Sequence, residues 1–156
     1  MRELAAELGV SRATLHRWVG SRDHLLAEIL WSETAAVFDN VTFTGRGAAG
    51  VADAIGSFVS TVNGSLAFRT FLQREPERAL RLLTTKASVV QSRTIAQLTS
   101  LLTSEITAGR LTPPLRLPDV AYVLVRLGES FIYTDVITGE EPDAEKARAA
   151  VAALLS

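Results

Sequence analysis

Gly9 sets the first limit on the architecture of this chain. It lies between two short segments, Leu4-Ala5-Leu8 and Val10-Leu15-Trp18, whose apolar residues recur at three- and four-residue spacing. A glycine able to turn left-handed ends a first helix, and Ser11 is a natural N-cap for a second. Helices crossing at about 90–120° over so short a turn need a small residue at the crossing and a permissive one at the bend. Ala5 and Gly9 meet those needs. Leu4 and Leu8 are expected to bury the first helix, and Val10, Leu15 and Trp18 to anchor the second against it.

The remaining pattern is helical throughout, so the expected class is all-α. Gly20-Ser21 breaks the second helix near Val19, and Ser21 caps a third carrying Leu25, Leu26, Ile29, Leu30 and Phe38. Thr44 to Gly50 reads as a glycine-rich loop, preceded by the β-branched fragment Val41-Thr42-Phe43. Further helices are expected over 51–62, 66–72, 76–83, 88–108, 118–138 and 143–155. Pro76 opens one of them, and the Arg110–Pro118 segment, with three prolines, is a connector. The change of texture near Gly45–Gly50 suggests a small head (1–42) and a helical body (50–156).

Composition narrows the function. The chain has no cysteine, which excludes a thiol nucleophile and a Cys-based metal site. No apolar run approaches a membrane span and no apolar leader follows Met1, so a cytoplasmic protein is expected. The net charge of −1 lends nucleic-acid binding no support. Its distribution says more: Ser11 to Arg22 holds Arg12, Arg17 and Arg22 without an acid, and Asp135 to Glu145 holds five acids without a base.

The pair of helices points to a specific chemistry. The outward residues of the second are Arg12, Ala13, Thr14 and Arg17, with Ser11 at its N-terminus. This is how a helix-turn-helix motif presents side chains to base edges in the major groove, with the capping serine and nearby amides as phosphate ligands. The competing reading is a generic helical hairpin.

The run AAELGVSRATLHRWVGSRDHLL, Ala5 to Leu26, resembles the DNA-binding segment of TetR/AcrR-type transcriptional regulators. That segment reads Ala…Gly-Val-Ser…Leu-Tyr-x-x-Phe-x-x-Lys-x-x-Leu. By this resemblance His16 takes the place of a phosphate-contacting tyrosine, Val19 that of the phenylalanine and Arg22 that of a backbone-contacting lysine. The resemblance implies a TetR-like fold: a head that binds double-stranded operator DNA, and a body that binds an effector and dimerises. The segments LLTTKASVVQSR and RLGESFIYTDVITGEEPD are similar to the QsdR-type subgroup, regulators linked to lactone-signal degradation. Family members carry a helix before the pair, whereas here Met1 opens on the pair itself. Either residues precede Met1, or the chain begins here and Leu4, Leu8 and Leu15 lose cover worth several kcal/mol at roughly 25 cal/mol per Å².

Other motifs weigh less. Gly45 to Gly50 matches GxGxxG literally, but without the preceding strand and following acid of a dinucleotide site it reads as a loop. HExxH and GxSxG are absent, both histidines lie in the head, and paired carboxylates at acid–base spacing are missing. Neither an enzyme nor a metal or organic cofactor is expected.

Small-molecule binding is expected in the body. Phe58, Phe68, Phe71 and Leu72 cluster in sequence, and Tyr122, Phe131 and Tyr133 follow on the penultimate helix. Arg126, Glu129, Ser130 and Tyr133 interrupt its apolar run at i, i+3, i+4 and i+7 and share one face. Three roles are open to Arg126 and Glu129: pairing with each other, bridging two subunits, or gripping a ligand head in a pocket, the last slightly favoured. The alanine-rich last helix invites close approach, so helices 118–138 and 143–155 are the expected homodimer interface.

These readings combine in a dimeric regulator, a repressor by resemblance, released by a small, largely apolar lactone or acyl compound. A helical ligand-binding dimer with a vestigial head is the alternative.

Overall fold

The computed structural model describes residues 1–40 and 46–156. Among them are ten helices: α1 (Arg2–Glu7), α2 (Arg12–Val19), α3 (Arg22–Asn40), α4 (Gly47–Gly64), α5 (Leu66–Arg74), α6 (Pro76–Thr84), α7 (Val90–Thr107), α8 (Leu117–Ile132), α9 (Thr134–Ile137) and α10 (Ala144–Leu154). No strand occurs among the described residues. Val41-Thr42-Phe43, Thr44, Gly45 and the last two residues of the expected head lie outside them.

Local chemistry sets the helix ends. Gly9 turns left-handed at φ 64°. Ser11 Oγ accepts from the Thr14 amide at 3.0 Å and opens α2. Gly20, at φ 68°, closes it, its amide donating to His16 O at 2.8 Å. Ser21 Oγ then accepts from the His24 amide at 3.1 Å as α3 begins. Asp143 Oδ1 accepts from the amides of Glu145 and Lys146, capping α10.

The helix-turn-helix pair is held by its small and branched residues. Ala5 and Leu15 are each 2% exposed at the crossing. Leu4 and Val10 are half-buried, but Leu8 and Trp18 are 54% and 62% exposed. The expectation that these two anchor the pair is therefore corrected: α1 and α2 are too short to enclose both faces, and Ala5 and Leu15 already occupy the crossing.

Helices α4 to α8 and α10 form the main core, around Val51, Val59, Leu102, Val120, Leu124 and Val151, all fully buried. Helix α3 leaves the helix-turn-helix pair and packs along α4, α6 and α7, with Trp31 against the core and under the Arg93 guanidinium. Helix α10 lies chiefly on α4. Gly56 permits this approach, since a Cβ there would stand 3.2 Å from Arg148 Cβ. The buried Ala147 and Val151 thus serve packing within the chain, while Ala149 and Ala153 stay exposed.

Two further expectations are corrected. The glycine-rich stretch is helical from Gly47. That residue has φ +62°, its amide donates to Glu105 Oε2 at 2.8 Å, and a Cβ would collide with the Arg110 carbonyl oxygen. Only glycine fits a turn wedged so tightly against another segment. The penultimate helix ends at Ile132 rather than near 138. Arg69 reaches across from α5, donating to Ile132 O (3.4 Å) and pairing with Asp135, and the backbone bends at Tyr133 before α9.

Candidate functional site

Two features of the fold suggest function: the exposed side of α2, and a pair of adjoining cavities between α3 and the body. On α2, Arg12, Ala13, His16 and Arg17 are all exposed. At 100° per residue they cover one arc of the helix, opposite the buried Leu15. Trp18 is also exposed, about 100° beyond Arg17 around the helix. Thr14 is half-buried, its hydroxyl 2.9 Å from Ser11 Oγ. Arg22, expected at a phosphate, is paired with Glu75 at 2.7 Å and half-exposed.

The larger cavity, about 470 Å³, lies between α3, α4, α5, α7 and the end of α8. Its walls include Leu26, Leu30 and Val37 of α3, Phe58 and Val62 of α4, and Phe68 and Phe71 of α5. The smaller, about 400 Å³, lies between α3, α4, α7 and α8 and includes Phe38, Leu98, Leu101 and Leu124. Phe58, Thr94, Glu129 and Ile132 line both. Phe38 packs on Phe58 with ring centroids 4.7 Å apart, and Phe68 stacks on Tyr133 at 6.2 Å.

The expected ligand residues divide sharply. Phe58, Phe68, Phe71, Glu129 and Tyr133 line the cavities. Leu72 does not, being 1% exposed within the core. Tyr122, Arg126 and Ser130 are exposed on the outer side of α8 and line neither cavity. The expectation of a single pocket-facing stripe is corrected here, because the boundary between core and solvent runs along that stripe.

Glu129 marks the boundary. Arg126 Nη1 lies 2.7 Å from its Oε2, a close ion pair that falls short of hydrogen-bond geometry, and donates to Thr84 O at 3.2 Å. With its amide nitrogen turned toward them, Gln91 donates to Glu129 Oε1 (2.6 Å) and Leu83 O (3.0 Å). Burial pushes the Glu129 carboxyl up to about 7, against the pull of Arg126. Tyr133, 5% exposed, is raised above the usual phenol range, by burial first and then by the Glu129 charge. Of the open roles for Arg126 and Glu129, mutual pairing is the one observed.

Sequence reasoning missed the α3 wall and Thr94. On α3 the available signal was the apolar spacing of Leu26, Leu30 and Val37, whereas nothing beside Thr94 in sequence marks it. Among the described residues no group of three or more His, Asp or Glu could hold a metal ion, and no helix is long and apolar enough to cross a membrane.

Comparison with known proteins gives a consistent result. The family model described as "Tetracyclin repressor-like, C-terminal domain" matches residues 46–156. The solved structure of the R. erythropolis transcriptional repressor QsdR, from the TetR family, is similar at 32% identity and a TM-score of 0.87. That similarity covers 97% of this chain and 81% of the other. None of the curated proteins matches significantly.

Proposed function

Because the chain belongs to the TetR family of transcriptional regulators, we propose that it is a repressor whose α2 reads an operator and whose body releases that operator on binding a small, largely apolar effector. Family members are transcription regulators rather than enzymes. The reading divides the chain into a DNA-binding head, residues 1–42, and an effector-binding and dimerisation body, residues 50–156. The observation that carries it is the exposed arc of Arg12, Ala13, His16 and Arg17, which leaves donors free for base edges and phosphates beside the Ser11 cap.

Arg12, Ala13, Thr14 and Arg17 are assigned to base readout, and Ser11, His16, Trp18 and Arg22 to the backbone. The effector is a lactone or acyl compound held in the cavities lined by Phe58, Phe68, Phe71, Glu129 and Tyr133. The homodimer forms through the outer faces of α8 and α10, where Tyr122, Arg126, Ser130, Ala149 and Ala153 are exposed. It would set two copies of α2 about 34 Å apart, one helical turn of DNA. Effector and operator then bind antagonistically and by the same factor in each direction.

Fluorescence anisotropy on the DNA upstream of the chain's own gene tests this, with a scrambled duplex alongside and a salt series. Tight, sequence-dependent binding that weakens steeply with salt is expected. Equal binding to both duplexes, or none, overturns it.

A further inference from the structure

The chemistry of the cavity lining restricts what the effector can be, an argument that rests on the body being an effector site. The charged residues lining the two cavities are Glu33, Asp39 and Glu129; no lysine, arginine or histidine lines either. Residues 41–45 carry no ionisable side chain. A carboxylate ligand would leave water to lie among carboxylates without a counter-charge, which is heavily unfavourable. A cation gains little, because Glu33 and Asp39 are solvent-exposed and Arg126 and Gln91 already lie against both oxygens of Glu129.

Among uncharged ligands, the free donors decide. The hydroxyls of Thr34, Thr61 and Thr94 donate to Leu30 O (2.7 Å), Ser57 O (2.9 Å) and Val90 O (2.8 Å), so their protons are committed to their own helices. Ser65 also lines the larger cavity with an uncommitted hydroxyl proton, but it is only half-buried and sits at a helix cap. Tyr133 is buried, lines the same cavity, and its hydroxyl makes no hydrogen bond to the described residues. A buried phenol needs an acceptor, and a carbonyl oxygen supplies one without bringing charge.

We propose that the larger cavity takes an uncharged aliphatic carbonyl compound, its carbonyl oxygen accepting from the Tyr133 hydroxyl and its chain lying against Phe58, Phe68 and Phe71. The volume of about 470 Å³ suits a medium-sized ligand.

Calorimetry on the full chain, without DNA, tests this with three ten-carbon probes: 2-decanone, decanoate and decylammonium. The ketone is expected to bind at least about tenfold more tightly than either ion. Tyr133→Phe should weaken ketone binding about fivefold. The same variant should leave both the ligand-free melting temperature and the binding of the uncharged dye N-phenyl-1-naphthylamine unchanged. Decanoate or decylammonium binding as tightly as the ketone overturns the proposal, as does binding by none of the three. Unchanged ketone affinity in Tyr133→Phe, or equal loss of dye binding, overturns the anchor. Failure here leaves the operator titration untouched, and failure of operator binding leaves this result interpretable.

Discussion

Arg22 and Glu75 form a two-point ion pair across 53 residues of sequence, with Nη1 to Oε2 at 3.2 Å and Nη2 to Oε1 at 2.7 Å. Arg22 is the first residue of α3, directly after the α2 turn, and Glu75 is the N-cap of α6. Arg78 joins both ends, 2.9 Å from Glu75 Oε2 and 3.4 Å from Asp23 Oδ1, and Arg81 also pairs with Asp23. Acids and bases from the two helices thus alternate at the junction, and the Asp23 and Glu75 carboxyls are held below their usual range by hydrogen bonds from Arg81 and Arg22 respectively.

On the phosphate contact proposed for Arg22, Glu75 would compete for the same guanidinium. Glu75→Gln should therefore raise affinity for operator and random duplex alike, by about threefold at low salt, and the gain should vanish at high salt. Arg22→Ala should lower both affinities equally and reduce the salt slope by about 1. Anisotropy across a salt series checks both, and a sequence-dependent effect would show that Arg22 is not a backbone contact.

Arg12 is exposed on the outer arc of α2. Its replacement by alanine should weaken operator binding by about 1–3 kcal/mol and random-sequence binding much less. Competition between the two duplexes measures the ratio, and equal losses would remove Arg12 from base readout.

Burial raises Glu129 from its ordinary value of 4.5 to about 7. Between those values the unfolded chain holds fewer protons than the folded one, so stability falls as pH rises through the window. Glu129→Gln should flatten this dependence, with a relative gain of up to roughly 3 kcal/mol above pH 7. Urea melts at pH 4.5, 6 and 8 would reveal it. A wild-type profile in the variant would show that Glu129 is solvated.

Glu105 behaves in the opposite sense. Hydrogen bonds from Arg110 first and the Gly47 amide second bring its carboxyl down to about 2. The stability it contributes is present above about 4.5 and is lost as pH falls toward 2. Gly47→Ala should destabilise the chain by about 1–3 kcal/mol through backbone strain and the clash with Arg110. Combining it with Glu105→Gln should cost less than the sum, because both act on one clamp. Thermal melts of the two single variants and the double variant test the coupling; strict additivity would separate the two residues.

Much of the fold is legible in the chain because its signals are local. Gly9, Ser11, Gly20 and Ser21 act on residues two to four positions away, and each occupies the expected role in the structure. The glycine-rich stretch was less legible. Gly47 begins a helix because Glu105 and Arg110, roughly sixty residues on, hold its backbone. Nothing near Gly47 in sequence announces that contact.

The same division runs through the candidate site. Helical periodicity places Arg126, Glu129, Ser130 and Tyr133 within one arc of α8 and its end, and this much the sequence determined alone. Which of them face a cavity was decided by the packing of α3, α4, α5 and α7, which cover Glu129 and Tyr133 and leave Arg126 and Ser130 exposed. Periodicity reports the angle at which a side chain leaves its helix. What stands opposite that angle, wall, void or water, depends on segments distant in sequence, and so only the tertiary structure could decide it.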